Sequence, residues 1–95
     1  MNEDISEQHI EAMLILQEEC AEVTQAVSKI FRFGFDERYP VDGPDNRARL
    51  EEELGDLLAM IDILVERCVI SDSNLNAARK AKVEKLKKWS RIYDK

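Results

Sequence analysis

Two stretches decide the fold of this chain: Leu16-Gln-Glu-Glu-Cys-Ala-Glu-Val23 and Leu50-Glu-Glu-Glu-Leu-Gly-Asp-Leu-Leu58. Each sets one carboxylate three residues ahead of another inside a helical apolar pattern. Residues three apart share a face of an α-helix, so Glu19 and Glu22 point one way, and so do Glu53 and Asp56. Two such helices lying side by side bring four carboxylates together. The group repels itself unless a cation enters, and hard oxygen ligands of this kind suit Mg²⁺ or Mn²⁺.

Outward from these stretches the chain reads as three helices. The first is expected from near Asp4, where Asp4 and Glu7 have capping-box spacing, to Phe31 or Phe33, with Gly34 as its stop. Its apolar stripe is Ile10, Met13, Leu14, Cys20, Ala21, Val27 and Phe31, and His9 is read as a packing residue beside Ala12 and Leu16. Gly34 to Asn46, with Pro40, Gly43 and Pro44, reads as a loop. The second helix carries Leu50, Leu54, Leu57, Leu58, Ile61, Leu64, Val65 and Cys68 on one face. Ser71-Asp72-Ser73-Asn74 is rich in capping residues and introduces a third helix over about 75–93. No segment alternates as a strand does. The expectation is an all-α helical bundle of about three long helices, forming one domain over residues 1–95.

Three helices do not readily close a core around two long apolar faces, because Met60 and Ile63 extend the stripe of the second helix. A four-helix-bundle core completed by a second copy, as a homodimer or homotetramer, resolves the excess; a monomeric three-helix bundle is the alternative. Gly55 costs its helix about 1 kcal/mol relative to alanine. Close approach of another helix, or room for a hydrated metal, is the expected compensation.

Charge is divided along the chain. Leu75–Lys95 holds eight basic residues against Glu84 and Asp94, a net of +6; the whole chain is −6, so residues 1–74 carry −12. A nucleic acid partner is not expected, since the acidic body repels a polyanion. A small polyphosphate fits better, with metal ions screening the acids and cations gripping the phosphates. The acidic amino-terminal residues read as no secretory signal, no stretch is apolar enough to span a bilayer, and Cys20 and Cys68, far apart and without a CxxC, read as reduced core thiols. Together these point to a cytoplasmic protein without a membrane partner.

The two acidic stretches resemble the paired EExxE and ExxD signatures of MazG-like, all-α nucleoside triphosphate pyrophosphohydrolases, over roughly residues 10 to 90. Thirty residues separate Glu22 from Glu53, slightly beyond the usual family spacing, so the intervening loop is long. The resemblance implies an all-α, dimeric or tetrameric, Mg²⁺-dependent enzyme that cleaves a nucleoside triphosphate to the monophosphate and pyrophosphate. Carried over by position, it assigns metal ligation to Glu19, Glu22, Glu53 and Asp56, while Glu18 and Glu52 match additional acids; one of these two, or a ligand carboxylate, would orient the attacking water. Asn76, Arg79, Lys80 and Lys82 resemble the Asn and Lys positions that the family uses around the triphosphate.

Residue chemistry agrees. No Ser/His or Cys/His arrangement offers covalent catalysis, and no glycine-rich phosphate loop is present. Lys29, seven residues after Glu22, shares its helix face, and Arg32 follows, so both are candidate phosphate contacts. Phe33, Phe35 and Tyr39 supply faces on which a base stacks, although sealing the helix end or a subunit interface is an equal use for them. Asp36, Asp42 or Asp45 would accept from base N–H groups; guanine, with two adjacent donors, is the first choice, and a deoxynucleotide the expected substrate. Two alternatives stand beside this reading: a phosphoribosyl-ATP-type pyrophosphohydrolase, from whose second motif Glu-Leu-Gly-Asp departs, and a non-catalytic helical interaction module whose acids form a solvated face.

Overall fold

Residues 6–94 are described by a computed structural model. The elements in order are α1 (Glu7–Phe33), α2 (Asn46–Glu66) and α3 (Asp72–Trp89), with no strand among the described residues. This is the expected all-α architecture. None of the helices is long and apolar enough to cross a membrane.

Local chemistry fixes each boundary. Ser6 has extended backbone angles, and its hydroxyl accepts the His9 N–H at 3.2 Å. α1 therefore starts with a serine cap, later than the Asp4–Glu7 pairing implied; Asp4 lies outside the described residues. Gly34 ends α1 at φ 92°, where glycine has no Cβ to clash, and its N–H reaches the Ile30 carbonyl at 2.7 Å. Asp45 caps α2 by accepting the Ala48 N–H at 2.8 Å, and Ser71 caps α3 by accepting the Asn74 N–H at 3.2 Å. α3 thus begins at Asp72, within the polar run, and stops at Trp89 before the expected end.

α1 and α2 form an antiparallel hairpin. The buried or half-buried residues of α1 include Ala12, Leu16, Glu19, Val23, Ala26 and Ile30; those of α2 include Asn46, Leu50, Glu53, Leu57, Met60 and Leu64. Both series step by alternating fours and threes, the seam of two helices packed at a shallow angle. Ala12 and Ala26 let the backbones approach, and Leu64 is 2% exposed at the far end. The stripe expected for α1 is the wrong face: Ile10, Met13, Leu14, Cys20, Ala21, Val27 and Phe31 all face solvent. α1 is apolar on two sides, and only one meets α2.

α3 stands apart, makes at most a marginal contact with the other helices and buries no residue. Trp89 is 78% exposed and Ile92 70%. The chain exposes 7841 Å², against about 5,600 Å² for a compact monomer of its mass by the usual size scaling.

A Cβ on Gly55 would meet nothing within 4 Å among the described residues, so no other helix of this chain approaches it closely there, and the open space is compatible with the other compensation expected, room for a hydrated metal. One further expectation is corrected. Cys20 and Cys68 are exposed rather than core residues, and Cys68 lies beyond α2 at φ 60°. There it closes the helix: the Val69 N–H returns to the Leu64 carbonyl at 2.9 Å, a Schellman turn that normally uses glycine.

A left-handed side-chain-bearing residue costs about 1–2 kcal/mol, of which glycine returns part through the entropy of the unfolded chain. Cys68→Gly is therefore expected to raise stability by roughly 0.5–1 kcal/mol, and β-branched Cys68→Val to lower it. Thermal melts of the three proteins check that order.

Candidate functional site

The hairpin seam continues into a line of polar side chains. On α1 the positions Glu19, Glu22, Ala26, Lys29 and Phe33 share a face; on α2 so do Asn46, Arg49, Glu53 and Asp56. Because the helices run antiparallel, acids oppose acids at one end, cations lie in the middle, and aromatics gather at the other end.

At the acid end, Glu19, Glu53 and Asp56 each place a carboxylate oxygen within 4.8 Å of the others. Glu19 and Glu53 occupy seam positions and are half-buried, while Asp56 is exposed. Partial burial pushes the Glu19 carboxyl above its ordinary value, followed by the charges of Asp56, Glu22 and Glu18. Glu53 is raised by burial and then by Glu22, Asp56, Glu19 and Glu52. The ion pairs among the described residues are Arg38–Asp45, Arg47–Asp36 and Lys87–Glu84, so none neutralises this trio. Converging oxygens without a counter-charge suit a hard divalent cation.

Next to the trio, a polar cleft of about 150 Å³ is lined by Glu22, Gln25, Ala26 and Lys29 of α1 and by Asn46, Arg49, Glu52 and Glu53 of α2. A second hollow of about 430 Å³ shares Lys29, Asn46 and Arg49 with it and adds Phe33, Glu37 and Tyr39. The two make one groove from acids to aromatics. A larger concavity of about 850 Å³ lies at the α2–α3 turn, open and mostly apolar, among Val65, Val69, Ile70 and Leu75. Among the described residues the converging acids lie beside the smaller groove rather than there.

The loop over the aromatic end is tied down by its own polar groups. Buried Asn46 donates to the Gly34 carbonyl at 2.9 Å, Arg49 to the Tyr39 carbonyl at 2.8 Å, and Arg38 to the Gly43 carbonyl at 2.8 Å. Arg47 pairs with Asp36 at 2.9 Å and covers the Phe35 ring at 4.9 Å. A Cβ on Gly43 would stand 3.1 Å from the Pro40 carbonyl oxygen, so the turn at that point is tight.

The structure brings Glu22, Glu52, Glu53, Lys29, Phe33 and Tyr39 to this groove, and Glu19 and Asp56 converge with Glu53 beside its acid end. Glu18 is exposed on the neighbouring turn. Arg32 lies over the Phe33 ring at 4.7 Å and does not line either hollow. Asp45 is engaged as the α2 cap and Asp36 by Arg47, and Phe35 lies under that same guanidinium. Asp42 is exposed outside the hollow. Asn76, Arg79, Lys80 and Lys82 ride on the separate α3, where Arg79 donates to Asn76 at 3.1 Å. Sequence reasoning missed Gln25, Arg49 and Glu37 and gave Asn46 no role. Arg49 was within reach of it, since it stands four residues before Glu53 and seven before Asp56.

The sequence model of the MazG nucleotide pyrophosphohydrolase domain matches residues 7–89. Neither the curated proteins nor the solved structures provide a significant match.

The raised Glu19 and Glu53 carboxyls fix a pH dependence. Folding favours their protonated forms, so their stabilising contribution is full below the ordinary value of 4.5 and is lost as pH rises through the folded values. At neutral pH, without divalent cation, Glu19→Gln and Glu53→Gln are expected to melt above wild type, and the difference to close as pH falls below 4.5. Millimolar Mg²⁺ is expected to raise the wild-type melting temperature more than that of either variant, which calorimetry checks.

Proposed function

The chain belongs to the MazG nucleotide pyrophosphohydrolase family, and from that premise we propose that it hydrolyses a nucleoside triphosphate, a deoxynucleotide in the first instance, to the monophosphate and pyrophosphate with Mg²⁺. The observation that carries this reading is the groove, in which acids, cations and aromatics follow one another along a single helix pair. Its order matches that of a nucleotide, with metal-bound phosphates at one end and the base at the other. Acids of a mere interaction surface would lie on polar flanks, whereas Glu19 and Glu53 interrupt the packing seam itself.

Glu19, Glu53 and Asp56, with Glu22 beside them, would hold the cation. When bound, it neutralises the charge on the leaving pyrophosphate and lowers the pKa of the attacking water. Lys29 lies in the shared part of the groove and meets phosphate oxygens. Glu52, which lines the cleft, would accept the proton of the attacking water, with Glu18 or one of the metal-holding carboxylates as the other candidates. The water oxygen bonds to the α-phosphorus as its bond to the α,β-bridging oxygen breaks, and pyrophosphate departs with the electron pair.

At the aromatic end, Phe33 and Tyr39 offer faces for a base. Glu37 is the carboxylate that lines this hollow, so it supersedes Asp36, Asp42 and Asp45 as the acceptor for paired donors such as those of guanine. The cations of α3 cannot serve the same chain's groove while α3 stands apart. We assign Arg79, Lys80 and Lys82, with Asn76, to phosphates bound by a second copy in a homodimer or homotetramer. Two observations support the assembly: the roughly 2,200 Å² of surface beyond a compact monomer, and the exposed apolar face of α1. That excess per chain lies within the range of obligate interfaces. Exposed, unpaired thiols suit a reducing, cytoplasmic setting.

Pyrophosphate release across the eight common NTPs and dNTPs tests the reading, and no release from any of them overturns it. Glu19→Gln, Glu22→Gln, Glu53→Gln and Asp56→Asn are each expected to lower turnover by about a hundredfold or more, with near-normal release in any two refuting the assignment. Glu37→Gln is expected to change the ranking of bases in kcat/KM, whereas the acid variants lower all substrates alike. Sedimentation should show more than one copy per particle, and Phe31→Glu should shift it towards the monomer.

A further inference from the structure

Arg49 is a half-buried residue at the junction of the two hollows, and the acid-and-metal reading leaves its guanidinium without a task. It stands one turn before Glu53 on the same face of α2. Its side chain makes one hydrogen bond to protein among the described residues, to the Tyr39 carbonyl at 2.8 Å, and takes part in none of the ion pairs there. A guanidinium has five N–H donors in a planar fork and stays charged. One donor holds the loop, which leaves the others for the groove.

We infer that Arg49 grips the α-phosphate, the group between the base and the departing pyrophosphate, and that the same side chain couples this phosphate to the base-covering loop through Tyr39. The inference rests on the pyrophosphohydrolase reading for the orientation of the ligand. With the base against Phe33 and Tyr39 and the metal at Glu19, Glu53 and Asp56, the α-phosphate falls at the shared part of the groove, where Lys29 and Arg49 supply the cations. Arg49 therefore binds the nucleoside monophosphate product as well as the substrate, whereas free pyrophosphate is held at the acid end without it. The Tyr39 tether gives a second consequence: the guanidinium that meets the phosphate also sets the position of the loop over the base.

Equilibrium titration separates these roles from mere support of the loop. Adenosine and guanosine monophosphate are titrated into the metal-free protein, and pyrophosphate into the Mg²⁺-loaded protein, for wild type, Arg49→Ala and Arg49→Gln. Glutamine keeps a donor for the Tyr39 carbonyl but carries no charge. Both variants are expected to weaken monophosphate binding by about tenfold or more, the loss of a charge-assisted phosphate contact, with pyrophosphate affinity within about twofold of wild type. Wild-type monophosphate affinity in Arg49→Gln would reduce Arg49 to a tether and overturn the assignment. Equal weakening of both ligands, or no monophosphate binding by wild type, overturns it as well. A protein that releases no pyrophosphate from any triphosphate, yet loses monophosphate binding in both variants, overturns the proposed reaction and leaves the Arg49 site standing.

Discussion

Two carboxylates in a packing seam are the constraint around which the rest of this structure is arranged. Glu19 and Glu53 stand where the alternating spacing of α1 and α2 calls for apolar side chains. Partial burial and mutual repulsion both oppose their charge. A helix pair accepts such positions only if something else holds it together or an ion compensates. Ala12 and Leu64 close the seam beyond the acids, and Ala26 and buried Asn46 close it on the loop side. The acids are thus pinned between two packed regions, so repulsion cannot simply splay the helices apart. Electrostatic strain is kept local, where a cation can relieve it.

The same antiparallel geometry explains why so small a hairpin can present an ordered sequence of chemistries. Along either helix, residues on one face recur every three or four positions, so a string of acid, cation and aromatic becomes a linear groove without any further chain. The loop then needs only to be held in place. Asn46, Arg47 and Arg49, all in the first turn of α2, reach back to Gly34, Asp36 and Tyr39. Each of these contacts spans ten to twelve residues of sequence, so the helix that carries two of the acids also positions the cover of the opposite end.

Much of this was legible in the sequence, and the failures have physical causes. The three helices, the Gly34 stop and the capping character of the Ser71–Asn74 run report local rules and were read correctly, although α3 begins inside that run. The stripe of Leu16, Glu19, Val23 and Ile30 was also seen, but a different face of α1 was read as its main apolar one. Ile10, Met13, Leu14, Val27 and Phe31 make a stronger apolar stripe than the true seam, which contains Glu19 and two alanines. Hydrophobicity measures what a helix would gain by burial anywhere, and does not say against which partner. Cys68 was assigned to the core because the apolar period runs through it, whereas α2 ends at Glu66 and the thiol sits in a left-handed turn. The carboxylate that lines the aromatic hollow was missed for a related reason. Three aspartates in the loop look equivalent in sequence, but helix capping and ion pairing engage Asp45 and Asp36, and only the folded loop shows that Glu37 lines the hollow.

The partition of charge acquires a meaning once α3 is seen to stand apart. A basic segment of +6 beside an acidic body of −12 would ordinarily fold back on its own chain, since the attraction is long-ranged and the linker short. Yet α3, which follows the left-handed turn at Cys68, makes at most a marginal contact with the hairpin, and Val83, Trp89 and Ile92 are exposed. Geometry overrides the electrostatic preference within one chain. In the proposed assembly the preference is satisfied between copies, where a basic α3 meets an acidic groove and its apolar side covers the unmatched face of α1. The hydrophobic excess and the charge imbalance are then two aspects of one interface, and the groove gains at its acid end the cations that its own hairpin does not supply.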